Sequence, residues 1–404
     1  MKSERMYKKV VITDKGADFI TEGNNWVYEN EAVSCDDDIS NGEIVDVLNL
    51  KNKYLGSGFY SGESKVRVRL FSSNSNDVFN DEFFIRRVRF AIKYRLDVLE
   101  SIGSCRVIFG EADGFPGLTV DKYNDILVSQ ITTVGLDMRK DIIFKALIDE
   151  FTKIGITINA IYERNDVSSR AKDGLELYKG YYYTSDSFDI NTKETIISEN
   201  GVKYYVDFID GQKTGFFLDQ KYNRELVGRI AKGKKVLDCF THTGGFALNA
   251  ALGEAKHVTA VDVSNTALEE GRANAKLNGL ENVSFVQADV FDYLDTLKHH
   301  QFDFIILDPP AFTKSRRTVM KAYNGYKRIN MQAMHVLRDG GYLATCSCSR
   351  YMECDLFEKM LREAAQEVGV TLKQISVTQQ NADHPILWNM EESSYLKFYI
   401  FQIV

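Results

Sequence analysis

Residues Val236-Leu-Asp-Cys-Phe-Thr-His-Thr-Gly-Gly-Phe-Ala-Leu-Asn-Ala250, followed by Val258-Thr-Ala-Val-Asp262, read as a strand, a glycine turn, a helix and a second strand ending in an acid. That pattern is half of a Rossmann-like nucleoside site. The dinucleotide fingerprint G-x-G-x-x-G is missing, and Asp238 stands at the strand end just before the loop. A carboxylate there repels a pyrophosphate and suits the ammonium group of a methionine moiety. Gly244 and Gly245 allow the backbone to approach a ligand, and Asp262 can accept both ribose hydroxyls. The expected cofactor is therefore S-adenosylmethionine, not NAD. Two glycines after a strand also serve ordinary tight turns, so the reading needs support from the rest of the chain.

Downstream, Phe302-Asp-Phe-Ile-Ile-Leu-Asp-Pro-Pro-Ala-Phe312 is an apolar strand run that stops at Asp308 and two prolines, which cannot continue a hydrogen-bonded ladder. Open parallel sheets bind ligands beyond the carboxyl ends of their strands. Asp238, Asp262 and Asp308, joined by Asp289 after the strand Val283 to Gln287, are expected to ring one pocket. Any one of them could instead cap a helix, since Asp is common after a βα loop. Acids at successive strand ends are harder to assign to capping alone.

A third signal, Gly340-Gly-Tyr-Leu-Ala-Thr-Cys-Ser-Cys-Ser349, is a turn and a strand that carries Cys346 and Cys348 to the same edge and face. A lone Cys is more often an inert core residue than a nucleophile. Cys348 ends the strand in a polar Ser-Cys-Ser setting and is expected to react; Cys346 lies one pleat deeper, behind Ala344, and is expected to pack. A thiol beside a methyl donor has a specific use. Pyrimidine C5 is too weak a nucleophile to take a methyl group, so a thiolate added at C6 supplies the electron density that C5 needs. Methylation of nitrogen or oxygen needs no such thiol.

These residues carry a family resemblance. Lys203 to Val404 resembles a class I methyltransferase of the bacterial ribosomal RNA large subunit methyltransferase I type, which makes 5-methylcytosine in 23S ribosomal RNA. The ordered motifs are Lys213-Thr-Gly-Phe-Phe-Leu-Asp-Gln220, the glycine loop, Asp308-Pro-Pro-Ala-Phe312, Gly325-Tyr-Lys-Arg-Ile-Asn330, Ser347-Cys-Ser349 and Ala382-Asp-His-Pro385. The resemblance implies that Cys348 is the nucleophile. It extends upstream: Trp26-Val-Tyr28, Gly42-Glu-Ile-Val-Asp46 and Tyr54-Leu-Gly-Ser-Gly-Phe-Tyr-Ser61 look like a PUA domain, a small β-barrel that family members use on RNA. Alternating runs such as Val66-Arg-Val-Arg-Leu70 independently suggest a compact all-β unit. A middle block, with the helical stretch Asp81 to Arg95 and a turn at Gly114 and Pro116-Gly117, resembles the family's linking domain. Many 5-methylcytosine enzymes place a second cysteine after the two prolines; here that position is Ala311, so product release must use another group.

The expected architecture is α/β: residues 1–75 a PUA-like RNA-binding domain, 76–190 a central α/β linking domain, and 191–404 a seven-stranded, Rossmann-like class I methyltransferase domain. Cys348 and Asp308 are the expected catalytic pair, with Asp308 on the N3 and exocyclic N4 edge of a flipped cytosine. Asp238, Phe240, Thr243, Gly244, Gly245, Asp262, Val263, Asp289, Val290, Asp308, Lys213, Asp219 and Gln220 are expected at the cofactor. Pro309, Pro310, Tyr326, Lys327, Arg67, Arg69, Arg86 and Arg87 are expected to meet RNA, although Lys and Tyr at such spacing are as often plain surface residues.

Composition narrows the partners. With 50 basic and 57 acidic residues in 404, net charge is −7, so RNA contact must be local rather than by bulk charge. The best basic cluster is Lys65, Arg67, Arg69, Arg86, Arg87, Arg89, Lys93 and Arg95, interleaved with Phe71, Phe83, Phe84, Phe90 and Tyr94. An ordinary solvated helix face would look the same, and helix-spaced aromatics more often form core. Six scattered cysteines lack the paired spacing of a zinc site, so no metal is expected and reduced cytoplasm fits. No signal-like segment and no run of about 18 apolar residues is present, which argues against a membrane partner. The expected partner is 23S ribosomal RNA, naked or in an assembling large subunit, with a homodimer left open.

Two other readings compete. Asp308-Pro-Pro could hold an exocyclic amino group of adenine or guanine for N-methylation, but that motif puts its aromatic directly after the second proline, where Ala311 stands. A non-catalytic RNA-binding assembly protein would be expected to lose the acids and glycines that are intact here. A nicotinamide oxidoreductase is opposed by Asp238 and the missing third glycine.

Overall fold

Unbroken apolar runs such as Phe304-Ile-Ile-Leu307 need cover on both faces of a sheet. In the structure, a computed structural model that describes residues 5–404, they form the centre of a seven-stranded sheet. Its strands are β1 (Lys235–Cys239), β2 (His257–Asp262), β3 (Val283–Gln287), β4 (Phe302–Leu307), β5 (Leu337–Ser347), β6 (Leu372–Thr378) and β7 (Lys397–Ile403). The spatial order is β3-β2-β1-β4-β5-β7-β6. The five strands from β3 to β5 pair in parallel, and β7 runs antiparallel to both β5 and β6. The order reverses between β1 and β4, which sets the ligand crevice at their carboxyl ends. Asp238 and Asp308 therefore flank the switch point.

Helices α1 (Gly245–Leu252), α2 (Asn265–Leu277), α3 (Val290–Thr296), α4 (Val319–Val336) and α5 (Cys354–Val368) connect these strands. Local chemistry sets their ends. The Ser264 hydroxyl accepts from the Ala267 N–H at the start of α2, and Gly369, at φ +80°, closes α5 in a left-handed turn. Phe357, Met360, Leu361 and Ala364 give α5 an apolar stripe at helical spacing, the first three buried with Tyr323 and Tyr326 of α4.

The chain forms two units, and this sheet belongs to the second, made of Ile196–Tyr205, Asp219–Asn381 and Ser394–Val404. The first holds the described residues up to Thr195, Val206–Leu218 and Ala382–Ser393. Within it, Lys8–Ile12, Trp26–Tyr28, Ala32–Cys35, Ile44–Leu48, Tyr54–Tyr60 and Val66–Ser72 make a six-stranded sheet. A five-stranded sheet follows, from Ser104–Phe109 to Tyr178–Thr184. The helix Asp81–Val98 is capped by the Asn80 side chain, which accepts from Phe83 N–H at 3.1 Å. Phe83 and Phe84 are core, as helix spacing suggests, with Phe71 of the strand Val66–Ser72, whereas Phe90 is 58% exposed. Among the described residues no helix is long and apolar enough to cross a membrane.

Candidate active site

At the end of β1 the Asp238 side chain is fully buried. Its Oδ2 accepts from Thr241 Oγ1 at 2.6 Å and from Ala247 N–H at 2.9 Å, while Oδ1 is buried without a hydrogen-bond partner. An unsatisfied carboxylate oxygen is costly inside a protein and marks the place of an absent donor. Burial, reinforced by the charges of Asp308 and Asp262, pushes the Asp238 carboxyl up to about 7. A ligand ammonium would supply both the missing donor and the missing charge, so the residues fit the methionine end of the cofactor.

The loop after Asp238 bends further than its glycines explain. Phe240 and His242 both adopt left-handed φ, +63° and +51°, in addition to Gly244 at +88°. Such residues cost about 1–3 kcal/mol each and persist only when their surroundings hold them. Here the Thr241 N–H donates to Val261 C=O and the His242 N–H to Asp262 Oδ2, at 3.0 and 2.9 Å. The other Asp262 oxygen accepts from the Ser264 N–H at 2.9 Å. Each oxygen keeps a second lone pair for a hydroxyl. Thr243 is buried and its carbonyl accepts from Asn274 Nδ2 at 3.2 Å.

Other expected cofactor residues divide. Asp289 caps α3, its Oδ1 accepting from the Phe291 and Asp292 N–H groups, and it is exposed. Val263 is 68% exposed. Val290 requires correction: its side chain packs into the core with Leu294, leaving only backbone for a ligand. Lys213 falls in the first unit, where its ammonium lies 4.5 Å from the Phe217 ring centroid.

Asp308, beyond β4, is partly buried. Its Oδ1 accepts from Gln220 Nε2 at 3.2 Å and from the Cys346 thiol at 2.8 Å, and burial pushes its carboxyl up to about 6. Cys346 is thus more than packing, which corrects the expectation for it. Burial and the neighbouring Asp308 raise its pKa well above the usual range, so it stays a thiol and a donor. Gln220 is held in turn by Asn223 Nδ2, 2.6 Å from its Oε1, and Asp219 Oδ2 accepts from Tyr395 OH at 2.7 Å.

Cys348 is half-buried, its Sγ 4.0 Å from the Pro309 carbonyl, so the thiol lies against the Asp308-Pro-Pro turn. Pro309 is buried and Pro310 exposed. Lys397, which gave no sequence signal, is buried beneath this edge. Burial lowers its pKa, its ammonium donates to Ser349 C=O at 2.8 Å, and a thiolate at Cys354 or Cys348 would act against that lowering.

Most expected RNA contacts require correction. Tyr326 is fully buried between Phe312 and Phe357, and its OH accepts from Ser347 Oγ at 3.0 Å, so α4 turns it into the core. Lys327 faces α5, where Glu363 and Glu367 bind its ammonium at 3.2 and 2.6 Å. In the first unit Arg67 donates to the Ser61 and Gly62 carbonyls and Arg69 pairs with buried Asp173. Arg87 is turned inward to the Phe71 and Gly114 carbonyls, and burial lowers its pKa to about 10. Arg95 is buried on Asp113, Arg89 pairs with Glu150 and Lys93 with Asp97. Arg86 stays 43% exposed, with Asp77 at 3.9 Å. The basic cluster read from the sequence is therefore mostly internal ion pairing.

The strand order, the strand-end acids and the orphaned Asp238 oxygen define an S-adenosylmethionine-dependent methyltransferase, and residues 179–398 match the family model of that description. Residues 10–73 match a PUA-like domain. Proteins named ribosomal RNA large subunit methyltransferase I are similar over nearly the whole chain. That of Aeromonas hydrophila subsp. hydrophila is 39% identical, covering 92% of this chain and 93% of the relative. That of Pseudoalteromonas translucida is 40% identical, covering 88% and 89%. Among solved structures, a SAM-dependent methyltransferase from Streptococcus mutans has the same fold, with TM-score 0.80 at 24% identity over 98% of this chain and 99% of its own. The methyltransferase SMU.776, solved with SAH, superposes with TM-score 0.81 at 23% identity over the same shares. The chain belongs to the ribosomal RNA large subunit methyltransferase I family.

Proposed function

We propose that the protein methylates C5 of a cytosine in 23S ribosomal RNA, in the cytoplasm, through a covalent bond between Cys348 and C6 of the base. The observation that carries this reading is the Cys348 thiol lying against the Asp308-Pro-Pro turn beside the switch point, where Asp238 keeps an unsatisfied oxygen. The relatives named above, which share more than a third of their residues with the chain, support ribosomal RNA as substrate. Residues 1–75 and 76–190 then serve RNA docking and 191–404 the chemistry, apart from Val206–Leu218 and Ala382–Ser393, which fold with the first unit.

When bound, S-adenosylmethionine supplies an electrophilic methyl group. The chain does the rest. Asp238, Asp262 and Asp289, with the loop Phe240 to Gly245, hold the cofactor. The Cys348 thiolate adds to C6 of the flipped base while Asp308, its carboxyl raised toward neutrality, gives a proton to N3. Electron density passes to C5, which takes the methyl group. A base such as water then takes the C5 proton, N3 returns its proton to Asp308, and the Cys348–C6 bond breaks to restore the thiolate. Gln220 and Cys346 fix one Asp308 oxygen and thereby aim the other. The amino-methyltransferase reading loses ground because Phe312, partly buried, packs with its ring centroid 4.5 Å from that of Tyr326 rather than standing free to stack on a target base.

Replacing the target cytidine by 5-fluorocytidine tests the covalent route, because fluorine at C5 cannot leave as a proton. A protein–RNA adduct stable on a denaturing gel, formed only with cofactor and Cys348 present, is expected. Its absence would contradict the route.

Lys397→Met should raise the Cys348 pKa, since the mutant lacks a cation that stabilises the thiolate. Activity near pH 7 is expected to fall severalfold and to recover as pH rises. The pH profile of kcat checks this; an equal fractional loss at every pH would indicate a packing role alone.

A further inference from the structure

A groove of about 990 Å³ lies wholly within the first unit. The PUA-like domain lines it with Asn24 and Lys53, the helix Asp81–Val98 with Arg86, Phe90 and Tyr94, and the segment Ala382–Ser393 with Trp388. Trp388 is 95% exposed, an unusual state for the largest apolar side chain. Its loop is not loose. Asp383 Oδ2 accepts from the Arg106 N–H and its carbonyl from Arg95 Nη2, both at 2.8 Å, while His384 Nδ1 lies 2.7 Å from Asp383 Oδ1. Ser393 Oγ closes the turn on the Leu387 N–H and the Met390 carbonyl, at 2.9 and 2.7 Å. Asn389 presses so closely on Gly23 that a Cβ there would lie 2.2 Å from the Asn389 Cβ. The Ala382-Asp-His-Pro385 motif thus anchors a rigid turn whose tip is a bare indole.

Groove charges are nominally balanced but differently turned. Glu111 accepts from Trp26 Nε1, Asp113 from both terminal nitrogens of Arg95, and Asp77 from Ser72 Oγ. These acids are occupied by the protein itself. Lys53 is exposed and has no ion-pair partner among the described residues, and Arg86 has only the longer contact to Asp77. Two outward cations, Lys53 and Arg86, thus stand beside two exposed aromatic faces, Trp388 and Phe90. Flat aromatics with scattered basic groups and amides suit unpaired bases on a phosphodiester backbone, whereas duplex bases are already stacked on one another.

We propose that this groove binds a single-stranded segment of RNA, with bases stacked on Trp388 and Phe90 and phosphates on Arg86 and Lys53. It would be an RNA contact additional to the methyl-transfer site, and it rests on the RNA reading above. The test is titration of the full-length protein with a 12-nucleotide single-stranded RNA of mixed sequence, followed by tryptophan fluorescence and by anisotropy of the labelled RNA. Quenching is expected in the wild type and should be strongly reduced in Trp388→Phe, which retains only Trp26 and keeps most of the affinity. Trp388→Ala should weaken binding about tenfold, the scale of one lost base stack. In methylation of ribosomal RNA it should raise KM and leave kcat unchanged. Equal affinity in Trp388→Ala and wild type, or undiminished quenching in Trp388→Phe, would overturn the proposal. So would quenching by ribosomal proteins of the large subunit but not by deproteinised RNA, which would make the occupant a protein. Failure of ribosomal RNA to accept a methyl group would sink the proposed function and leave the fluorescence titration to decide the groove.

Discussion

Cys348→Ala is expected to lower methyl transfer by about 10³-fold or more, the scale on which loss of a covalent nucleophile acts, while the cofactor binds as before. The split follows from where the thiol stands. Cys348 lies against the Pro309 carbonyl on the far turn of the switch point, whereas on the proposed reading Asp238, Asp262 and the loop between them hold the cofactor. Single-turnover rates with saturating cofactor, beside calorimetric titration of S-adenosylmethionine, measure both quantities. Cys346→Ala is the informative companion: it removes a donor to Asp308 and not the nucleophile, so its loss of rate should be much smaller. Full turnover in Cys348→Ala would exclude the covalent route.

Asp238→Asn should weaken S-adenosylmethionine about a hundredfold and, in the free protein, stabilise the fold. Losing one partner of a buried charged pair costs about 2–5 kcal/mol of binding, and each 1.4 kcal/mol is tenfold. The stability effect has the opposite sign. Asp238 is raised to about 7 in the fold, against about 3.9 for an unfolded Asp. Between those values the folded state binds more protons than the unfolded, so this residue makes stability fall as pH rises from about 4 to about 7 and adds no slope above. The amide removes that slope. Melting temperature against pH, measured without cofactor, should therefore decline less steeply in Asp238→Asn across this window. In the wild type, cofactor affinity should drop as pH falls below about 7, because only the ionised carboxylate pairs with an ammonium. A mutant that binds the cofactor normally would remove Asp238 from the site.

Much of the second unit was legible in the chain because its signals are local. Apolar runs ended by Asp238, Asp262 and Asp308 give strands, edges and direction together, and Pro309-Pro310 mark where β4 must stop. The features that escaped notice depend on residues far apart in sequence. Lys397 reaches the Cys348 edge because β7 inserts antiparallel next to β5, an arrangement no local pattern announces. Phe240 and His242 carry left-handed backbone that ordinary residue types do not advertise. Tyr326 and Lys327 were misplaced because a helix of mixed polarity can present Lys and Tyr to solvent or to another helix, and the packing partner α5 decides. The basic helix Asp81–Val98 misled in the same way: Arg87 and Arg95 read as charge for RNA, and tertiary carbonyls and Asp113 claim them. Trp388 sits in no motif of its own, and only the fold shows that it is bare.

Cytosine C5 methylation through Cys348, the central claim, is tested most directly by transfer of radiolabelled methyl from S-adenosylmethionine to ribosomal RNA from cells lacking this protein. Nucleoside analysis identifies the product, with wild type and Cys348→Ala run in parallel. Label in 5-methylcytidine is expected with the wild type and none with Cys348→Ala; label in a methylated adenine or guanine, or equal 5-methylcytidine from both proteins, would contradict the claim.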